Sequence, residues 1–403
     1  MTAPAEVPKV SPQPTHRPGA APWPEARRTA RTAARPLPRD SRLLAEALGH
    51  VLARPLSALT DLPAFDTSAM DGWAVAGPGP WRLGGAILAG DSSPRPLEDG
   101  AAVRIATGAQ LPRGATAVLR SEEGEVLGGI LTAARAPGLG QDVRPRGQEC
   151  RTGDELLSTG CPVTPAVLGL AAAAGYDALT VVPRPTVEVL VLGDELLPAG
   201  LPRDGHVRDA LGPLLPPWLR GLGADVLGTR RVGDTREALR EAVSSSTADV
   251  VVTTGGTASG PVDFVHSVLS DLGARLLVDG VAVRPGHPML LAVLPGGRHL
   301  VGLPGNPLAA VSGVLTLAEP LLSTLAGLPR ADAYAAALTT AVPGHPADTR
   351  LVPVTLHDDG GASALRFHGP AMLRGLAAAD AFAVIAPGGA DAGADVEILE
   401  LRW

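Results

Sequence analysis

The chain reads as an α/β multidomain protein, with a doubly wound α/β domain flanked by smaller β-rich domains. Three observations predict this. From Thr186 to about residue 330, short apolar runs alternate with loops and helix-period stretches, the rhythm of a mainly parallel sheet. From Trp81 to about Leu131, and again after about Arg330, short apolar runs are separated by Gly and Pro pairs, as in small β domains. The 403 residues, 45% apolar and 19% charged, are enough for roughly two to four packed domains rather than a disordered chain.

Residues 1–38 carry nine prolines and no hydrophobic period, so the reading there is a disordered, solvated Pro/Arg-rich tail. Order is expected from Asp40-Ser41, a plausible cap before Leu44, Leu48, Val51 and Leu52 at helical spacing. Thr164 to Gly175 opens with Thr-Pro, a cap followed by proline at the first helical position. Val187–Leu192, Val226–Val232, Asp249–Thr254 and His299–Leu303 read as strands. Arg236–Val243, Phe264–Leu272 and Leu308–Leu325 read as helices. The chain ends in a further strand, Val396–Leu401.

Composition excludes whole classes of function. Aromatic residues make up 3% and the net charge is -7, leaving no platform for base stacking and no field for phosphate backbones. The longest apolar stretch, Val167 to Val182, is broken by Gly169, Gly175, Tyr176 and Asp177, so no membrane span is expected. Cys150 and Cys161 form no CxxC pair and read as free thiols of a cytoplasmic protein.

In an open α/β sheet, ligands gather at the carboxyl ends of the strands. Asp194 and Glu195 end the first strand, Asp234 the second, and Thr-Thr-Gly-Gly-Thr-Ala-Ser-Gly (253–260) the third, followed by Asp263. Leu-Pro-Gly-Asn-Pro (303–307) ends another and opens a helix. Glycines let backbone N–H groups approach an anion, and a helix dipole adds positive potential. Each feature has a plainer reading: Asp234-Thr-Arg-Glu237 is a capping box, and Asp263 equally suits a cap. Neither a P-loop nor GxGxxG is present. Carboxylates crowded beside a phosphate-binding loop repel the ligand by about 4 kcal/mol per like-charge pair at 4 Å and an effective dielectric of 20. A divalent cation reverses that sign, so the constellation points to Mg²⁺ and a phosphorylated ligand.

Upstream, Phe65-Asp-Thr-Ser-Ala-Met-Asp-Gly-Trp-Ala74 and Arg104-Ile-Ala-Thr-Gly-Ala-Gln-Leu-Pro112 are too polar and irregular for plain core. With Arg144-Pro-Arg-Gly-Gln-Glu149, Leu192-Gly-Asp-Glu-Leu196 and Leu303–Pro307, they run in the order of the motifs of one family. The chain resembles the molybdopterin molybdenumtransferases (bacterial MoeA and the E domain of gephyrin) from about residue 40 to its end. The resemblance implies an N-terminal linker domain (39–75 plus 145–183), a β-rich insertion (76–144), an α/β molybdopterin-binding domain (184–330) and a C-terminal β-barrel-like domain (331–403). It further implies a homodimer, with the site between the α/β domain and the partner's N-terminal portion. The implied reaction is Mg²⁺-dependent insertion of molybdate into adenylylated molybdopterin with release of AMP. Molybdoenzymes or other cofactor-biosynthesis proteins are the implied further partners.

On this resemblance Asp71, Glu195, Asp234 and Asp263 are the catalytic and metal-binding set. Thr107, Gly108, Asp209, Gly255, Gly256, Ser259, Pro304, Gly305, Asn306 and Pro307 are expected at the pterin, and Arg284 and His287 at molybdate. The departures fall mostly on the molybdate side. The family's KPGKP appears as Arg284-Pro-Gly-His287-Pro288, Gly280 replaces a further lysine, and Ala309 and Pro370 stand where serines are usual. A second reading follows, a non-catalytic molybdopterin-binding paralogue with a degraded molybdate pocket.

Overall fold

The computed structural model describes residues 19–91, 94–258, 263–330 and 333–401. The described residues divide into two compact units, one within 40–48 and 52–181, the other within 19–39, 49–51 and 182–401.

The larger unit is built on a six-stranded sheet in the order Asp225–Val232, Thr186–Leu192, Val250–Thr254, His299–Leu303, Leu290–Val293, Arg275–Asp279. The first four strands run parallel, Leu290–Val293 runs antiparallel to them, and Arg275–Asp279 pairs antiparallel with Leu290–Val293 and so points the same way as the first four. Alternation along a strand makes it doubly wound. Val250 and Val252 enter the core under helices Leu211–Gly221 and Pro307–Gly313, whereas Val251 packs with Leu239 and Val268 of helices Arg236–Ser245 and Val265–Asp271. Fully burying a Val or Leu side chain contributes roughly 1.5–3 kcal/mol, so both faces are strongly specified. Helix Leu211–Gly221 was not legible in sequence because Pro216 and Pro217 lie inside it.

The second sheet of this unit closes on itself. Thr349–Leu356, Gly361–Ala364, Tyr334–Leu338, Asp395–Glu400 and Ala381–Ile385 pair in turn, and Ala381–Ile385 pairs back to Thr349–Leu356. Val281–Arg284 extends this barrel in parallel with Thr349–Arg350, and Ala21–Pro22 adds to Val281–Ala282.

That last pairing corrects the disordered-tail expectation for residues 19–38. Trp23–Thr32 is a helix whose Trp23, Ala26, Arg27 and Ala30 are buried. Trp23 Nε1 donates to Thr316 Oγ1 at 3.0 Å, and Arg27 donates to the Leu315 carbonyl. Residues Val314–Ala318 form a π-turn, which frees carbonyls from the α ladder, so the arginine meets an acceptor there. The stripe was readable as i, i+3, i+4, i+7, but three of its four members are Ala and Arg, which carry little hydrophobic signal.

The smaller unit holds a six-stranded sheet in the order Gly124–Leu127, Ile130–Ala133, Trp81–Ile87, Ala101–Ile105, Gly72–Val75, Ala117–Arg120, packed around Trp81, Leu119 and Leu131. Helix Pro165–Ala173 is capped by Thr164, as its sequence predicts. The helix expected after Asp40-Ser41 is instead strand Asp40–Leu43 followed by one 3-10 turn, Leu44–Glu46. Gly49 at φ +78° ends any helical path, and Leu43 and Leu48 are exposed.

Helix Pro307–Leu325 is long and apolar enough to cross a membrane, but 83% of its apolar window is buried in the protein, as in a core helix.

Candidate active site

The four parallel strands finish along one edge, with Leu192 opposite Val232 and Val191 opposite Thr254, which in turn opposes Leu303. The loops that follow bound one cavity of about 660 Å³. Glu195, Asp209, Asp234, Asp263, Gly255, Gly256, Gly305, Asn306 and Pro307 line it, with Ala371 and Leu373 contributing from the C-terminal segment.

Each position has a local cause. Gly193 adopts φ +130°, and a β-carbon there would stand 2.7 Å from Glu195 Oε2. Asp234 is not the helix cap that the capping-box spacing allowed. Thr235 caps, its Oγ1 accepting from Ala238 N at 3.2 Å, while Asp234 Oδ2 accepts from Asp194 N at 3.0 Å. The Gly255 and Gly305 loops lie against each other: Gly255 N donates to Leu303 O at 2.8 Å, and a β-carbon on Gly305 would meet Gly255 Cα at 3.6 Å.

Asp209 is buried and committed to the fold. Its Oδ1 accepts from Leu211 N at 3.0 Å and Gly212 N at 2.9 Å, satisfying the first-turn donors of helix Leu211–Gly221, and Pro213 has none to satisfy. Its Oδ2 lies 3.4 Å from Arg231 Nη1. A substrate contact by this carboxylate competes with those bonds.

Other expected residues fall elsewhere. Pro304 is buried beneath the cavity-lining loop. The N–H groups of Leu308 and Ala309, at the start of the helix after Pro307, donate to the Pro370 carbonyl at 2.9 and 3.3 Å, so they are not open to an anion in this arrangement. His287 lies in a second cavity of about 450 Å³ with Gly280, His266, Asp279 and Asp263, and Asp263 lines both cavities. Arg284 lines neither: its Nε donates to the buried Asp348 at 2.8 Å, and it stands in register with Arg350 on the adjacent strand. Ser259 lies outside the described residues.

Asp71, Thr107 and Gly108 belong to the smaller unit. Asp71 Oδ1 accepts from Thr107 N at 2.7 Å and Thr107 Oγ1 at 3.0 Å, which holds its carboxyl below the usual range. Gly108 N donates to Ser68 O at 2.9 Å at φ +79°.

Glu195, Asp234 and Asp263 are hard oxygen donors in one cavity. No three His, Cys, Asp or Glu side chains among the described residues converge closely enough to hold an ion unaided. Mutual repulsion keeps bare carboxylates apart, and Mg²⁺ commonly takes one or two carboxylates and completes its shell with substrate phosphates.

Fold and cavity together define a doubly wound α/β protein with an acidic, glycine-lined cavity at the carboxyl edge of its parallel strands. Residues 21–175 match the model of the MoeA N-terminal region (domains I and II), 188–324 that of a probable molybdopterin binding domain, and 335–401 that of the MoeA C-terminal region (domain IV). A molybdopterin molybdenumtransferase of Staphylococcus aureus is 31% identical over 299 residues, 70% of this chain and 71% of that protein. One from Staphylococcus epidermidis is 31% identical over 297 residues, with the same coverage. The crystal structure of a molybdopterin biosynthesis MoeA protein from Pyrococcus horikoshii superposes with a TM-score of 0.77 at 26% identity, covering 95% of this chain and 100% of that one. The chain belongs to the molybdopterin molybdenumtransferase family, transferases of molybdenum cofactor biosynthesis.

Proposed function

We propose that the protein inserts molybdate into adenylylated molybdopterin with Mg²⁺ and releases AMP. The observation that carries this reading is the meeting of Glu195, Asp234 and Asp263 with the Gly255-Gly256 and Gly305–Pro307 loops around one cavity. Glu195, Asp234 and Asp263 would hold Mg²⁺ jointly with ligand phosphate oxygens, where it supplies Lewis-acid polarisation of the phosphoanhydride. The glycine loops bring backbone close to the phosphates, and Asn306 offers a neutral side-chain donor at the same wall. Asp71, with its carboxyl held ionised by Thr107, serves the same reaction in a homodimer, as the family resemblance implies. His287 and Arg284 are the cations proposed for molybdate from the family resemblance; His287 lines the second cavity, whereas Arg284 donates to Asp348 outside it. The matched ranges 21–175, 188–324 and 335–401 are in keeping with the divisions proposed from residue 39 onward, although the first takes in part of the segment read as a tail. The free thiols Cys150 and Cys161 are in keeping with a cytoplasmic setting.

The experiment is AMP release from adenylylated molybdopterin by the purified protein with Mg²⁺, with and without molybdate. Molybdate-dependent release supports the proposal. Tight pterin binding with no release favours the non-catalytic paralogue, whose motivating observation is the loss of Lys and Ser donors at Gly280, His287, Ala309 and Pro370.

A further inference from the structure

The 660 Å³ cavity is lined by four carboxylates and, among the described residues, a single cation, Arg208. Its place is set by a short parallel ladder in which Leu196 pairs with Val207 and Leu197 with Arg208. Val207 N donates to Glu195 O at 2.9 Å and Asp209 N to Leu197 O at 3.1 Å, so Arg208 is tied to the strand end that carries Glu195. Its neighbour Asp209 is engaged by the helix start and by Arg231, and no carboxylate among the described residues forms an ion pair with Arg208. One guanidinium nitrogen, Nη1, donates to Leu197 O at 3.2 Å, which steadies the side chain and leaves the remaining donors of the fork.

The charge balance gives this residue a task. Glu195 and Asp234 carry negative charge into the same cavity, and Arg208 is the cation among its described lining residues, so it lowers the repulsion that a phosphate meets there. Helix donors that could otherwise meet the anion, Leu308 and Ala309, are held by the Pro370 carbonyl.

We propose that Arg208 binds the phosphoanhydride oxygens of the substrate in the cavity that Glu195, Asp234 and Asp263 also line. This rests on the adenylylated-pterin reading above. A guanidinium fork matches two oxygens of a phosphate at once, which an ammonium cannot.

The test is the dissociation constant of adenylylated molybdopterin with Mg²⁺, measured calorimetrically for the wild-type protein and for Arg208→Ala, Arg208→Gln and Arg208→Lys, at several ionic strengths. Loss of one charge-assisted contact predicts roughly 10- to 100-fold weaker binding for Ala and Gln, partial recovery for Lys, and a shallower dependence on salt in the two neutral variants. Arg208 is exposed, so the melting temperature is expected to stay at the wild-type value in all three. Binding within twofold of wild type in Arg208→Ala, or a salt dependence identical to wild type, overturns the inference and leaves the proposed function standing. Failure of the wild-type protein itself to bind adenylylated molybdopterin overturns the proposed function and this inference together.

Discussion

A β-carbon on residue 193 would stand 2.7 Å from Glu195 Oε2, so it is the bare backbone of Gly193 that lets the Glu195 carboxylate turn back toward its own strand end. The clash is with the far end of a flexible side chain, so an added methyl displaces the carboxylate before it disturbs the sheet. The φ of +130° adds backbone strain of about 1–3 kcal/mol for any residue with a β-carbon. Gly193→Ala should lower AMP-release activity at least tenfold while the protein still folds, with a lower melting temperature. Full activity in that variant would show that Glu195 does not depend on this geometry.

Glu195 is exposed at the cavity, and among the described residues none holds its side chain by a hydrogen bond or an ion pair. Glu195→Ala should therefore abolish turnover with little change in melting temperature. Unchanged turnover rejects its catalytic role.

Asp209 behaves in the opposite sense. Two helix-start donors depend on its Oδ1, and a β-carbon on Gly212 would come within 2.3 Å of its Oδ2. Asp209→Ala should destabilise the protein by about 1–2 kcal/mol, the usual effect of losing a helix cap, with some added cost from unpairing Arg231. Denaturant unfolding measures this directly. A variant with wild-type stability and reduced ligand affinity would instead make Asp209 a substrate residue.

Thr253 lies fully buried in the strand that leads to Gly255, and its Oγ1 has no hydrogen-bond partner among the described residues. Leaving a buried hydroxyl unsatisfied costs about 1–3 kcal/mol, whereas an isosteric methyl costs nothing there. Thr253→Val should raise stability by about 1 kcal/mol in the same unfolding experiment, and a loss of stability would mean the hydroxyl is bonded.

His299 gives the fold a pH dependence. It is buried on its strand, its Nε2 lies 3.3 Å from Ala33 O, and burial pushes its pKa below the usual histidine value. A base whose pKa is lower in the folded state takes up its proton more readily when unfolded. Its contribution is thus complete above the unfolded pKa of about 6.5 and is lost as pH falls from there toward the lower folded value. Melting temperature measured from pH 7.5 to 5 should fall more steeply in the wild-type protein than in His299→Gln, and parallel curves would refute the assignment.

What the sequence determined by itself is the local chemistry of the strand ends. The valine-rich Thr186–Leu192 and the continuous run Val250–Thr254 read as buried strands, and strands so buried deliver Glu195 and Gly255 to the sheet's carboxyl edge. Period and glycine placement act over a few residues, so a chain read in order reveals them. What tertiary structure alone decided joins residues far apart. Arg27 answers a carbonyl freed by a π-turn near residue 315, Arg284 is drawn to Asp348, and the Pro370 carbonyl takes the N–H groups of Leu308 and Ala309. The same holds for Arg208, whose neighbour in the chain is the buried carboxylate Asp209 but whose partner across the ladder is Leu197, just past Glu195. Hydrogen-bonding groups and charges must be satisfied by whatever the fold brings near, and no local pattern of residues records which neighbour that will be.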